Sequence, residues 1–123
     1  KKIVIVDDDE NLIRLLLAGF EAKNYEVHPL MNGKEAKAYL SNESNARSID
    51  LLILDRMLPD MDGTEILRFF REKYGKKTPI LFLSILSSEK DILEGLSKGA
   101  VDYVSKPFSM KVLIEKAEKL IQK

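Results

Sequence analysis

Three short runs of the chain are apolar at every position: Ile3-Val4-Ile5-Val6, Leu51-Leu52-Ile53-Leu54 and Ile80-Leu81-Phe82-Leu83. Unbroken apolar runs suit strands covered on both faces, as in parallel sheets, better than strands with one wet face. Two weaker strands are expected at Tyr25 to Pro29 and at Val101 to Val104, the latter behind the turn signal Gly99-Ala100. Between these runs the apolar residues fall at helical spacing. Leu12, Ile13, Leu16, Leu17 and Phe20 share one face behind Asp9, a candidate N-cap. Ala36 to Leu40 predicts a short second helix, and Gly63 to Tyr74 a third with Ile66, Leu67 and Phe70 inward. Ser88 to Lys98 predicts a fourth, opened by Ser88-x-x-Asp91 and closed by Gly99, and Met110 to Ile121 a fifth. Residues 42–48 read as a longer mobile loop. Strand and helix alternate strictly, with connections too long for hairpins. The pattern therefore predicts an α/β fold with a five-stranded parallel sheet and helices on both faces.

Length and charge narrow the picture. A chain of 123 residues suits one domain with one core. Lysine plus arginine and aspartate plus glutamate each number 20, so no net field draws the chain to nucleic acid or to an anionic membrane. The absence of cysteine excludes a disulfide scaffold, a zinc knuckle and a thiol nucleophile, and fits a reducing, cytoplasmic setting. No apolar run approaches the roughly 18 residues of a membrane span, so a soluble domain is expected. The first residue is Lys1 rather than methionine, which leaves a lost leader or a further domain open.

In open α/β sheets the ligand site lies beyond the carboxyl ends of the strands. There the first strand ends in Asp7-Asp8, the third in Asp55, the fourth in Ser84 and the fifth in Ser105-Lys106-Pro107. Three converging carboxylates repel one another unless a cation neutralises them, and a hard divalent ion such as Mg2+ suits an acidic rim of this kind. Lys106 adds a second positive charge and Ser84 a hydroxyl donor. A carboxylate nucleophile so surrounded has the parts needed to form an aspartyl phosphate. Singly, each residue has a simpler role. Asp7 to Glu10 suit a helix N-terminus, Asp55 a turn, Lys106 a solvated surface and Ser84 a local hydrogen bond. Their joint placement on four strand ends is what favours chemistry. His28, alone on the second strand, reads as structural.

With these residues in place, the chain resembles the receiver domains of two-component signalling over nearly its whole length. Val6-Asp7-Asp8-Asp9 is similar to the acidic pair after the first strand, and Leu54-Asp55-Arg56-Met57-Leu58-Pro59-Asp60-Met61-Asp62-Gly63 to the phosphoacceptor loop. Gly99-Ala100-Val101-Asp102-Tyr103-Val104-Ser105-Lys106-Pro107-Phe108 is similar to the fifth-strand signature. The resemblance implies a flavodoxin-like, doubly wound (βα)5 fold, strand order 2-1-3-4-5, with residues 1–123 as one receiver domain. It implies that Asp55 is phosphorylated, and that Asp8, Asp55 and the Met57 carbonyl bind Mg2+ directly while Asp7 acts mainly through water. Ser84 would hydrogen-bond a phosphoryl oxygen, Lys106 would pair with the phosphoryl group, and Tyr103 would be the rotamer switch below the fourth helix. The Lys106-Pro107 bond would be cis. Such a domain is not an enzyme in its own right, although it assists its own phosphorylation and dephosphorylation. The implied partners are a histidine kinase or histidine phosphotransfer protein, and a downstream output domain or protein reached through the face of the fourth helix, fifth strand and fifth helix. A phosphorylation-dependent dimer is also implied.

Two residues depart from the family pattern. Ile85 stands where a small residue is usual and would narrow access to Asp55. Val112 stands where many transcriptional members carry glutamate on the dimer face. Three rival readings are a pseudo-receiver that only binds a partner, an aspartyl-phosphate phosphatase, and a flavodoxin-like cofactor carrier. The phosphatase needs a general acid two residues after the nucleophile, where this chain has Met57. The carrier needs a phosphate loop where this chain has acids.

Overall fold

The computed structural model describes residues 1–122. Its sheet is built from β1 (Lys2–Val6), β2 (Glu26–Leu30), β3 (Leu51–Leu54), β4 (Ile80–Ser84) and β5 (Asp102–Ser105), all parallel, in the order β2-β1-β3-β4-β5. Every residue of β3 and β4 is buried, as continuous apolar runs demand. Alternate side chains feed two cores. Ile3, Ile5, Leu51, Ile53, Leu81 and Leu83 face α1 (Glu10–Glu21) and α6 (Met110–Gln122). Val4, Val6, Leu52, Leu54, Ile80 and Phe82 face the opposite layer, which holds α2 (Gly33–Ser41), α3 (Glu43–Arg47), α4 (Gly63–Tyr74) and α5 (Glu89–Ser97). This is the doubly wound receiver architecture that the resemblance implies.

The helix signals hold in detail. Asp9 caps α1, accepting from the backbone N–H groups of Asn11 and Leu12, and Ser88 with Asp91 forms the capping box of α5. The third expected helix matches α4 at both ends. One expectation needs correction: residues 42–48 are not a loop, because Asn42 accepts from the Asn45 N–H, Ala46 is buried, and a single helical turn and a half forms between them. Among the described residues the fold therefore has six helices, and the fourth and fifth expected ones are α5 and α6. Gly99, with φ of 118°, makes the turn into β5. Among the described residues no helix is long and apolar enough to cross a membrane.

The loop from β3 to α4 is fixed at several points. The Gly63 N–H donates to the Arg56 carbonyl at 2.7 Å, and Met57 and Asp62 form an antiparallel bridge. The Gly33 and Lys34 N–H groups donate to the two Asp60 oxygens at 2.8 and 2.9 Å, which holds that carboxyl below its ordinary pKa and fastens the loop to the start of α2. A methyl group on Gly63 would lie 2.2 Å from the Asp55 carbonyl oxygen and 2.9 Å from the Arg56 Cα. Both are backbone atoms at the root of the loop, so neither yields as a flexible side chain would. Gly63→Ala is expected to lower stability by about 1–3 kcal/mol, read as a drop in the urea midpoint at unchanged slope. A midpoint equal to that of the unaltered chain would show that the loop is not held this tightly.

Candidate functional site

Backbone pairing continues past the strand ends and sets the positions of the rim residues. The Asp7 N–H donates to the Leu30 carbonyl at 3.0 Å, the Asp55 N–H to the Val6 carbonyl at 3.0 Å, and the Lys106 N–H to the Ser84 carbonyl at 2.9 Å. Because β1 and β3 are neighbours, Asp7 and Asp55 emerge side by side. The carboxylates of Asp7, Asp8 and Asp55 each offer an oxygen, and these three atoms lie within 4.8 Å of one another. Asp7 is 2% exposed and Asp55 5%, whereas Asp8 is open to solvent.

Lys106 reaches across from β5, with the cis peptide bond to Pro107 directly after it. Its Nζ donates to Asp7 Oδ2 at 2.8 Å and to Asp55 Oδ2 at 2.9 Å, so one ammonium bridges two buried carboxylates. Burial by itself pulls the ammonium pKa down, but the hydrogen bonds and charges of Asp7 and Asp55 outweigh it, and the net shift is upward from 10.5. Asp7 also shifts upward, because its desolvation exceeds the help from Lys106 and from the Asp9 N–H. The ammonium is well satisfied. The Asp7 carboxylate has a partner on each oxygen yet is still penalised by burial, so a second cation at the rim would favour its charged form.

The remaining oxygens are held from the backbone. Asp55 Oδ1 accepts from the Met57 N–H at 2.9 Å, a turn that fixes the carboxylate rotamer. Ser84 is fully buried at the end of β4, and its hydroxyl accepts from the Leu86 N–H at 3.2 Å. Ile85 is 62% exposed, so its branched side chain stands at the rim in solvent. Tyr103 lies inward: its hydroxyl donates to the Leu86 carbonyl, and its ring packs on Phe82 with centroids 5.6 Å apart. The ring thus sits below α5, against Gly95. His28 stacks on Tyr39 with ring centroids 4.3 Å apart, and burial together with nearby Lys2 lowers its pKa, in keeping with a structural role.

All the residues singled out at the strand ends are therefore brought to one rim. Arg56 and Asp60 were given no role beyond membership of the acceptor loop, yet both anchor it. Their partners lie far along the chain: Asp91 and Glu94 are 35 and 38 residues from Arg56, and Gly33 is 27 from Asp60. Only the placement of charged residues beside an unbroken apolar strand hinted at this. A groove of about 710 Å³ at the opposite end of the sheet, lined by Lys1, Asp50, Lys77, Pro79, Val101 and Leu120 among others, contains none of the rim residues.

A doubly wound α/β domain with an acidic rim bridged by lysine at its carboxyl edge is the class that this fold and site define. The sequence matches the response regulator receiver domain family over residues 3–118, and the chain belongs to that family of two-component signalling domains. It is 38% identical over 122 residues to the nisin biosynthesis regulatory protein NisR of Lactococcus lactis subsp. lactis, covering 99% of this chain and 51% of the relative. It is likewise 38% identical over 122 residues to the transcriptional regulatory protein SrrA of Staphylococcus aureus, covering 99% and 48%. The chain thus spans about half the length of these curated relatives. Among solved structures, the beryllofluoride-activated DrrB receiver domain superposes with a TM-score of 0.85 at 30% identity, covering 99% of this chain and 97% of that one. The non-phosphorylated HemR receiver domain of Leptospira biflexa gives 0.89 at 31%, covering 99% and 94%.

If Lys106 offsets the repulsion between Asp7 and Asp55, its removal leaves two buried carboxylates uncompensated. Lys106→Met is expected to destabilise the domain by about 3 kcal/mol in metal-chelating buffer near neutral pH. Adding Asp7→Asn should recover part of that loss, as a double-mutant cycle by urea denaturation will show. The pH dependence has a definite sign: the lysine contribution is fully present below the ordinary value of 10.5 and is lost as pH rises through the higher folded value. Strict additivity of the two substitutions would contradict the bridge.

Proposed function

We propose that this chain, residues 1–123, is the phosphorylation-operated switch of a response regulator, with Asp55 as the phosphoacceptor. The observation that carries the reading is the convergence of Asp7, Asp8 and Asp55 within 4.8 Å, with Lys106 bridging two of them. Such a cluster of like charges is electrostatically costly and suits a site that takes up a cation. The donor is a histidine kinase or a histidine phosphotransfer protein. One Asp55 oxygen attacks the phosphorus in line, the P–N bond breaks, and its electron pair stays on the imidazole nitrogen, which takes up a proton. Positioning and charge neutralisation suffice for this transfer. Lys106 exchanges its carboxylate contacts for a phosphoryl oxygen, and Ser84 donates its hydroxyl to another.

The donor set fits Mg2+, since three carboxylates and a backbone carbonyl are hard oxygen ligands. Asp8, Asp55 and the Met57 carbonyl would hold the ion directly and Asp7 through water; when bound, it neutralises charge on the phosphoryl oxygens. The same residues assist hydrolysis of the phosphate, although Met57 and Leu86 offer no strong side-chain hydrogen bond to orient water, which suits a slow loss. Output runs from Ser84 through Tyr103 to the face of α5, β5 and α6, elements on which Leu93, Leu96 and Val112 are exposed. That face would take an output domain, a partner protein or, after phosphorylation, a second copy. Lys116 and Asp102 on it are already paired at 2.9 Å. The setting that fits is the cytoplasm, with neither nucleic acid nor membrane bound by this domain.

Two measurements test the reading. Treatment with phosphoramidate and Mg2+ should add one phosphoryl group by intact mass, and Asp55→Asn should abolish the addition; a failure of the unaltered chain to label would leave it a binding module. Millimolar Mg2+ should raise the melting temperature of the unaltered chain but not of Asp8→Ala, because ligand binding to the native state adds stability only where the site is intact. An equal response from both would place the ion elsewhere.

A further inference from the structure

The residue that follows Asp55 carries a cluster that the switch reading leaves unused. Arg56 is 5% exposed, an uncommon environment for an arginine. Its Nη2 donates to Glu94 Oε1 at 2.6 Å and to Asp62 Oδ2 at 3.4 Å, and its Nη1 donates to the Asp91 carbonyl oxygen at 3.1 Å. Asp62 is the N-cap of α4, whereas Asp91 and Glu94 lie on α5, so one guanidinium joins both helices. The Arg56 Nε is buried without a partner. The guanidinium is thus held through its two outer nitrogens, and with the 4.0 Å ion pair of Nη1 and Asp91 Oδ1 three of its four contacts belong to α5.

The attachment of α5 is otherwise thin. Its one buried residue is Gly95, where an added methyl would lie 3.0 Å from the Tyr103 ring and 3.1 Å from Phe82. By contrast α4 buries five residues. Beside Gly95, the partly buried Ile92 packs on the core, and with so little apolar area holding the helix, polar contacts weigh more in its placement. The contacts from Arg56 end directly on the acceptor main chain, since Arg56 is bonded to Asp55 and its carbonyl accepts from the Gly63 N–H.

We propose that Arg56 is a positioning residue that tethers α5 to the phosphoacceptor main chain through Glu94 and Asp91. It gives the acceptor loop a second hold on the output face beside that of Ser84 and Tyr103. This rests on the reading of α5 as part of the output face, but the tether itself exists in the unphosphorylated domain and is testable there.

The cut is best made from the acidic side. The Glu94 side chain is 43% exposed and its loss leaves Arg56 still paired with Asp62 and the Asp91 carbonyl, so Glu94→Ala should fold normally. In unphosphorylated protein, hydrogen exchange by mass spectrometry should show the amides of α5 exchanging about tenfold faster in Glu94→Ala, the scale set by loss of a charge-assisted hydrogen bond, with α1 and α6 unchanged. Glu94→Gln, which keeps an acceptor at the same reach, should restore much of the protection. Lys98→Ala removes the other, exposed partner of Glu94 at 3.9 Å and should have no effect. Arg56→Met should accelerate α5 exchange at least as much, and combining it with Glu94→Ala should add nothing further. With beryllofluoride and Mg2+, Glu94→Ala should show a smaller change in α5 than the unaltered chain. Unchanged α5 exchange in Glu94→Ala, or equal acceleration in Lys98→Ala, would overturn the tether. Beryllofluoride without effect on the unaltered chain would instead count against the switch, a different result from a different sample.

Discussion

The bridge from Lys106 to Asp7 and Asp55 is the contact on which the rest of the arrangement depends. Two carboxylates buried side by side at the ends of neighbouring strands repel one another, and a positive charge between them offsets that repulsion. The parallel order of the sheet creates the problem by bringing β1 and β3 together, and it supplies the answer from β5, on the far side of β4. A lysine side chain is long enough to cross that strand, and two of the three donors on its head group reach the carboxylates. The rim is therefore poised. Its ammonium is already in place, and its carboxylates are arranged so that an arriving cation or phosphoryl group changes which partners are satisfied.

Around this rim the loop from Asp55 to Gly63 is held more firmly than its lack of regular structure suggests. Asp60 fastens it to α2, Asp62 caps α4, and Arg56 reaches α5. A change at the Asp55 carboxylate is thus made against a fixed frame on one side and a lightly seated helix on the other. Strain in such a system goes to the element that yields most easily, which is the physical basis for reading α5 as the moving part.

Much of this was legible in the residues. Continuous apolar runs located β1, β3 and β4, and the caps at Asp9 and Ser88 located two helix starts, because these signals are local. The rim followed from topology, since polar residues after successive parallel strands share one edge. What escaped was non-local or compositionally faint. Residues 43–47 carry no apolar periodicity over so short a span, and only the burial of Ala46 and the cap from Asn42 make them helical. The partners of Arg56 lie in another helix, and no spacing rule links them. The inward position of Tyr103 depends on the absence of a side chain at Gly95, a fit between two elements that sequence patterns do not encode.

That glycine has a consequence for how such domains diversify. With Gly95 as the one fully buried position of α5, the sites on the helix other than the partly buried Ile92 and the Arg56 partners Asp91 and Glu94 answer mainly to whatever they meet outside. Substitutions there can remodel partner choice step by step without eroding the folded state, whereas α4, with five interior positions, has less latitude. A lineage that duplicates this module can therefore acquire a new listener by rewriting one helix, leaving the acidic rim and the sheet untouched.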